Sequence, residues 1–529
     1  MLAYDLSRQL GQYASRTKFV EVFLNQVGGK LTRRHYLGVY VLEEKIKRAG
    51  SRVNLQKLRQ EDNAEPEITG GYIFKKDHWD TYGEVSPTLD GRPNGFGPSS
   101  GPRYGYPTGP GGFPGDVRGF LPPVGGSRRA GQARDSSRPM PGPEPATPGL
   151  LERFKWFFGP NDTPPAPPQT GGPLPSPREP GAIRQFQEYR DPATGERLRV
   201  DLDRLPQQGG PFNERRFLMS RQSEGRPSEE TFRTARGTEF FYVEPKPEEI
   251  TPAQKGWLRN HLNEFERALY GPDFRDPIKG YAAYIDADSF IDHHLIVEVS
   301  KNIDGFRFST FFQKDRGGKI KMQPIWDWNL SFGNANGKQG WMPEYWYWPQ
   351  LDDTQYSWFR RLFEDPDFGQ RYVDRWGELR ASIFSQSNIL RRVDALVAEL
   401  GAARVRNFER WPILGRNIWP NHYVGRTYED EINYLKDFVR KRLAWIDQQF
   451  VAAPQPARQN TSAHADPTVV LTAPAGQIYY TLDGTDPRAA GGTVSPNARL
   501  YSAPVTVPRP GQLFARTLHE DRWSPPTRQ

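Results

Sequence analysis

The sequence predicts an α+β protein followed by a small β-sandwich. Residues 1–83 combine one amphipathic helix with short apolar strands, whereas residues 236–450 place apolar side chains mainly at helical spacing. Residues 467–529 instead alternate apolar and polar side chains with a period of two between turn residues. These periodicities predict a small sheet, a mainly helical second part and a separate antiparallel module.

Glycine and proline are concentrated between the first two regions. The chain of 529 residues contains 51 glycines and 50 prolines, and proline is well above its usual share of about 5%. Much of the excess lies in residues 84–235, which lack apolar periodicity and cannot bury enough surface to offset chain entropy. We therefore predict a largely disordered insertion at 84–235.

Charge and cysteine content exclude several classes of function. The net charge is +8, but basic residues are scattered among 63 acidic ones, which predicts no nucleic-acid groove. The absence of cysteine excludes disulfides, thiolate metal sites and a cysteine nucleophile. No apolar run reaches the about 18 residues that a membrane span needs, so we expect no transmembrane segment.

The individual elements follow from local signals. A helix is predicted at 3–12, and strands at 17–24, at 36–42 and after the Gly-Gly break within 68–77. Thr251, followed by proline and then glutamine at the third helical position, marks a helix start. Further helices are predicted at 288–300, 355–385, 387–407 and 427–451, and a linker at 451–466.

The segment 301–337 carries the most informative pattern. Two short strands, 306–312 and 320–325, flank a Lys-Asp-Arg-Gly-Gly-Lys turn and predict a hairpin. Folding about this turn brings Asp304 opposite Asn329, with Asp327 one step away, and facing residues lie roughly 5 Å apart. Such a cluster repels itself unless a cation or a phosphate-bound metal fills it, which indicates a magnesium–nucleotide site. Three polar residues in solvated loops are the alternative interpretation.

Residues 302–334, NIDGFRFSTFFQKDRGGKIKMQPIWDWNLSFGN, resemble the core of the CotH family of atypical, spore-coat-type protein kinases. Supporting segments in the same order resemble the family too: 37–48, 68–77, 281–302 and 357–380. The likeness covers roughly residues 1–80 and 236–450. It implies a two-lobed kinase-like fold that binds ATP with Mg²⁺ or Mn²⁺ and phosphorylates Ser or Thr of exported or surface proteins. It begins after the family's first strands, so we expect this chain to be N-terminally incomplete and its export signal to lie outside it.

The resemblance implies roles for the residues at the hairpin mouth. Asp304 would orient the attacking hydroxyl or accept its proton, and Asp327 would ligate magnesium. Asn329 would supply a second oxygen ligand to the metal; alternatively, it has only a structural role in the turn. Ser309 stands where ordinary kinases use asparagine, and serine is the weaker ligand.

Other positions are weaker candidates for nucleotide binding. Glu44 and Lys45, at the end of the second strand, could belong to the phosphate-binding arrangement or be solvated. Lys76 follows Gly70 and Gly71, which could let the backbone approach a nucleotide or form a plain strand turn.

The sequence IYYTLDGTDPR, at 478–488, resembles the C-terminal domain of chitobiases and β-hexosaminidases. This accessory module implies a secreted or cell-envelope protein and a cell-wall or polysaccharide surface as partner. Two other functions stay open. The chain could be a non-catalytic surface-associated scaffold with a degenerate kinase-like fold, or a kinase of sugars or small molecules.

Overall fold

A computed structural model describes residues 1–26, 28–77, 186–190, 197–201, 230–459 and 466–529. Most of the predicted insertion at 84–235 lies outside these residues. Within it, strand β4 (Phe186–Arg190) pairs antiparallel with β5 (Arg197–Asp201).

The helices follow the predicted order with different bounds. In chain order they are α1 (Leu2–Gln9), α2 (Pro252–Tyr270), α3 (Ala287–Ser300), α4 (Phe359–Leu362), α5 (Pro366–Arg380), α6 (Gln386–Leu400), α7 (Ala403–Arg410) and α8 (Tyr428–Asp447). The Thr251 capping box that starts α2 is confirmed, because the Thr251 side chain accepts a hydrogen bond from the Gln254 backbone. The predicted helix at 355–385 is split, since Asp365 caps a new helix that begins at Pro366. No helix in the part of the chain described is long and apolar enough to cross a membrane.

A five-stranded antiparallel sheet carries the predicted hairpin. Its order is β6 (Thr231–Arg233), β7 (Glu239–Glu244), β3 (Tyr72–Lys76), β8 (Thr310–Lys314) and β9 (Ile320–Lys321). Strand β9 is shorter than predicted because Pro324 lacks the N–H that would continue the ladder. A single bridge from Thr310 to Ile325 extends the pairing towards the hairpin mouth.

The first two predicted strands form a separate hairpin. Strand β1 (Thr17–Phe23) pairs antiparallel with β2 (Tyr36–Glu43), from Thr17 opposite Glu43 onward. This hairpin lies against α7, where Asn407 Oδ1 accepts the Val39 N–H at 2.8 Å.

Helix α3 lies at the centre of the core, and all but its second residue are buried. Its Glu298 pairs with Arg442 of α8 at 2.8 Å, with both side chains fully buried. The aromatic run 341–348 packs here too, with Trp346, Tyr347 and Trp348 buried. Helix α3 runs directly into the segment that contains Asp304, so core packing positions the candidate site.

The C-terminal module consists of two antiparallel sheets. The first has the order β10 (Gln455–Gln459), β11 (Thr468–Thr472) and β14 (Val505–Thr506). The second has the order β13 (Arg499–Leu500), β12 (Gln477–Thr481), β15 (Phe514–His519) and β16 (Arg522–Trp523), with β17 (Thr527–Arg528) also on β15. Strand β10 lies inside the segment 451–466 that the sequence predicts as a linker. It is an edge strand that contains Pro456, and its mostly polar sequence gives no apolar alternation.

Candidate functional site

Backbone hydrogen bonds close the mouth of the β8–β9 hairpin. The Ile303 N–H donates to the Leu330 carbonyl at 3.2 Å, and the Phe332 N–H donates to the Ser300 carbonyl at 2.6 Å. The segment that carries Asp304 therefore runs beside the segment that carries Asn329. The β8–β9 pairing, with Gln313 opposite Lys321, is however shifted by one residue from the register that would place Asp304 opposite Asn329.

Asp304 sits in a turn that holds its carboxylate. Its backbone carbonyl accepts the N–H groups of Arg307 and Phe308, and Arg307 also donates from its side chain to Asp304 Oδ1 at 2.8 Å. The Asp304 side chain keeps 22% of its surface exposed. The Tyr347 hydroxyl donates to the Ile303 carbonyl and fixes the backbone just before it. Asp304 is thus oriented by an arginine and still reachable from solvent.

Lys338 adds a second cation near Asp304. Burial, followed by repulsion from Arg307, lowers the pKa of Lys338, while Asp352 and Asp304 act in the opposite direction. Lys338 and Gln339 both have left-handed backbones, with φ of 45° and 52°. Two consecutive non-glycine residues in this conformation carry a strain cost, so the surrounding fold holds Lys338 in place.

Asp327 lies on the other strand of the hairpin mouth and is exposed. Its backbone is left-handed, with φ of 55°, and its N–H donates to the Tyr4 hydroxyl at 3.0 Å. Burial raises the pKa of Tyr4, and hydrogen bonding to Glu43 adds to this effect. Tyr4 therefore links the end of β2 to Asp327, and Glu43 is the acidic residue at that end of β2.

Asn329 is also exposed, and its carbonyl accepts a hydrogen bond from the Asn334 side chain at 3.2 Å.

Ser309 faces the end of β3. Its N–H donates to Asp77 Oδ1 at 3.3 Å, and the other oxygen of Asp77 accepts from Lys75 at 2.8 Å. Ser309 is buried and has a left-handed backbone with φ of 52°. The metal-ligand role of Ser309 stays a prediction, and Asp77 is a carboxylate beside it that the sequence did not single out.

Lys76 is held in a protein pocket beside the mouth. Its Nζ donates to the carbonyls of Thr354 at 2.6 Å, Gln355 at 2.8 Å and Phe306 at 3.3 Å, and to the Ser357 hydroxyl at 3.1 Å. Burial lowers the pKa of Lys76 to about 7, against a weaker raising effect of Asp352. In this structure Lys76 ties the 354–357 loop to the segment that follows Asp304. Its nucleotide contact stays a prediction.

Glu44 and Lys45 have partners of their own. Glu44 accepts hydrogen bonds from the Arg16 side chain and lies 3.3 Å from Arg52. The Arg16 hydrogen bond lowers the pKa of Glu44 to about 2. Lys45 is exposed, and its carbonyl accepts from Arg52 at 3.2 Å. Among these neighbouring residues, Glu43 rather than Glu44 contacts the Asp327 region.

The two glycines before β3 lie at the opposite end of the hairpin. A Cβ on Gly70 would meet the Arg316 backbone nitrogen at 1.9 Å, and one on Gly71 would meet the Gln56 carbonyl at 2.7 Å. The Gly71 N–H donates to the Lys314 carbonyl at 2.9 Å. The predicted close approach of backbone therefore exists, but the hairpin turn fills it at Gly70 and residues 56–58 fill it at Gly71. We assign both glycines to packing rather than to a nucleotide.

The donors at the mouth suit a hard cation. Asp327 and Asn329 present exposed oxygen atoms of the kind that Mg²⁺ prefers. Within residues 1–26, 28–77, 230–459 and 466–529, no group of three or more His, Cys, Asp or Glu side chains is placed to hold a metal. The fit for Mg²⁺ thus rests on these two residues together with waters and phosphate oxygens, the usual way in which proteins bind this ion.

Some site residues escaped the sequence analysis, namely Tyr4, Glu43, Asp77, Arg307 and Lys338. Arg307 follows Asp304 by three residues, the spacing of a turn, and this signal could have revealed it. Tyr4 lies 323 residues upstream of Asp327, and no local sequence pattern predicts a contact between residues so far apart.

Comparison with protein families assigns most of the chain to two known families. The model of the CotH kinase protein family matches residues 1–94 and 225–446, more than half of the chain. The chain belongs to the CotH family. The model of the chitobiase/β-hexosaminidase C-terminal domain matches residues 458–526. No curated protein matches the chain as a relative.

Proposed function

We propose that this protein is a kinase that uses ATP and Mg²⁺ to phosphorylate Ser or Thr residues of exported or cell-surface proteins. The observation that carries the proposal is the closed hairpin mouth, where partly exposed Asp304 and exposed Asp327 lie on adjacent segments of a CotH family member. The accompanying C-terminal module supports a role outside the cell, in association with carbohydrate.

Each residue at the mouth has a chemical task in this proposal. Asp304 accepts the proton of the substrate hydroxyl as the oxygen attacks the γ-phosphorus and ADP leaves. Arg307 holds the Asp304 carboxylate in one orientation at 2.8 Å. Asp327 and Asn329 would hold Mg²⁺, which neutralises phosphate charge when bound. Mn²⁺ takes similar oxygen ligands.

Phosphate transfer tests the role of Asp304 directly. We expect the intact chain with Mg²⁺ and γ-labelled ATP to label a protein acceptor, and Asp304→Asn to reduce the rate by about 10²–10⁴-fold. Asp437→Asn is the matched control, because Asp437 is half-exposed on α8 and, among the residues that the structure describes, pairs only with Lys441 one turn away. Equal rates for Asp304→Asn and Asp437→Asn would contradict the role of Asp304.

A non-catalytic scaffold is the second candidate. The Arg307–Asp304 ion pair favours it, because Arg307 already occupies Oδ1 of the carboxylate that would have to receive the substrate hydroxyl. This alternative predicts that no protein or sugar acceptor is labelled by the intact chain. Labelling of a free sugar instead of protein would indicate the third function, a small-molecule kinase.

A further inference from the structure

A cavity of about 420 Å³ opens between the CotH part of the chain and the C-terminal module. Its volume falls in the range of small-molecule sites, about 300–1,000 Å³, and such sites occur preferentially between domains. One wall comes from the start of α5 and from residues 449–451, just after α8, and the other from residues 488–493 and 521–523. We call it the junction cavity. None of its lining residues belongs to the hairpin mouth.

Ion pairs across the junction fix the two walls relative to each other. Arg488 of the module pairs with Asp367 of α5 at 2.7 Å, and the Gly491 N–H donates to the same carboxylate at 3.0 Å. Behind this wall, Arg516 is 2% exposed and donates to both Asp374 and Asp486. A buried arginine with two carboxylate partners holds the module firmly against α5, so the cavity is preformed.

The floor of the junction cavity is apolar and its rim is polar. Val373, Phe450 and Trp523 form the apolar surface. The Trp523 indole N–H donates to the Gly492 carbonyl at 2.7 Å, which fixes the orientation of the ring. Gln370, Gln449 and Thr493 contribute polar groups. An apolar aromatic floor with convergent polar groups suits a ligand that has both a C–H face and many hydroxyls.

Charge distinguishes the junction cavity from a neutral sugar site. Arg275 from the CotH part and Arg522 from the module both line it, and neither forms an ion pair with any residue that the structure describes. Arg275 donates only to the Glu364 carbonyl, at 2.7 Å. The Glu364 carboxylate is itself paired with Arg361, and Asp521 is exposed. Two guanidinium groups, one from each wall, are thus available to an anion.

We propose that the junction cavity binds an acidic saccharide, a carbohydrate that carries a carboxylate. The sugar ring packs on the partly exposed Phe450, which lies beside the buried Trp523, and Arg275 and Arg522 bind the carboxylate through paired N–H···O hydrogen bonds. The binding site requires both parts of the chain and is independent of ATP.

Titration of the full chain with matched saccharides tests this proposal. Digalacturonate and galabiose share ring configuration and linkage, but galabiose has a hydroxymethyl group in place of each carboxylate. We expect saturable binding of digalacturonate and at least about tenfold weaker binding of galabiose, since a charge-assisted hydrogen bond contributes more than a neutral one. Glucuronate and N-acetylneuraminate extend the panel of acidic sugars.

Two variants from opposite walls locate the site. Arg275→Glu and Arg522→Glu should each weaken binding of the acidic saccharide about tenfold or more. Arg499→Glu is the control, because Arg499 is exposed on β13 of the same module and away from the cavity. ATP binding should be unchanged in all three. The proposal is overturned if no acidic saccharide of the panel binds up to about 10 mM, if galabiose binds equally well, or if neither cavity variant changes binding.

Discussion

Replacing Arg442 with methionine removes the cation of a fully buried ion pair. In the intact chain, Arg442 donates to Glu298 Oε2 at 2.8 Å and to the carbonyls of Glu298, Pro343 and Tyr345 at 2.8–2.9 Å. The variant leaves these carbonyls without their donor. It also leaves the buried Glu298 carboxylate with the N–H groups of Tyr347 and Trp348 as hydrogen-bond donors and with Lys301 as a nearby cation. Breaking a buried ion pair in this way costs about 3–5 kcal/mol.

The loss should depend on pH in a defined direction. Burial raises the pKa of Glu298, and Arg442 opposes that effect. Without Arg442 the folded-state pKa of Glu298 rises further above its unfolded value, so stability is lost as the pH rises above the unfolded pKa of about 4.5. Arg442→Met should therefore destabilise the protein more at pH 8 than at pH 5.

Urea unfolding followed by tryptophan fluorescence measures both effects. Lys441→Met is the matched control, because Lys441 is the exposed neighbour of Arg442. Within the described part of the chain its one ion pair is with Asp437 on the surface, so we expect a change of at most about 0.5 kcal/mol. Adding Glu298→Gln to Arg442→Met should recover part of the loss by removing the uncompensated charge. Equal unfolding free energies for the Arg442 and Lys441 variants at pH 8 would refute this account of how α3 and α8 position the Asp304 segment.

Two further predictions concern packing and acid stability. Gly70→Ala should destabilise the fold by about 1–3 kcal/mol, because the new Cβ would lie 1.9 Å from the Arg316 nitrogen. Gly256→Ala, in an open position on α2, should instead stabilise the fold by up to about 1 kcal/mol. Thermal unfolding compares the two variants, and equal effects would contradict the close approach at Gly70. Burial lowers the pKa of both His261 and His293 to about 4. As the pH falls from 7.5 to 5, each histidine should therefore lower the free energy of unfolding by about 2 kcal/mol, because the histidine is protonated at a higher pH in the unfolded chain than in the folded one. Urea unfolding of His261→Gln should show a correspondingly weaker pH dependence, and an unchanged dependence would contradict the prediction.

The sequence predicts the hairpin mouth because its geometry follows from local rules. A turn rich in glycine between two short strands predicts that the Asp304 and Asn329 segments run side by side. The spacing did not give the exact register, because Gln313 pairs with Lys321, one residue away from the predicted pairing. Helix starts such as Thr251 were equally accessible, because a cap and the residue three positions later satisfy each other locally.

Long-range partners could not be predicted in the same way. Whether Glu43 or Glu44 faces Asp327 depends on which side of the strand end meets Tyr4, and Tyr4 belongs to a distant helix. The glycine pair before β3 correctly indicated a close backbone approach, but only the fold shows that the hairpin turn lies against Gly70 and residues 56–58 lie against Gly71. The Glu298–Arg442 pair joins residues 144 positions apart, and its burial is a property of the assembled core.

Magnesium-dependent ATP binding tests the central claim most directly. Calorimetric titration of ATP into the intact chain, with and without Mg²⁺, should show binding that requires the metal. Asp327→Asn should abolish the metal-dependent part because it removes a carboxylate ligand, while Asp437→Asn should leave it unchanged. Equal Mg²⁺-dependent binding by the intact chain and by Asp327→Asn would contradict the placement of the nucleotide at the hairpin mouth.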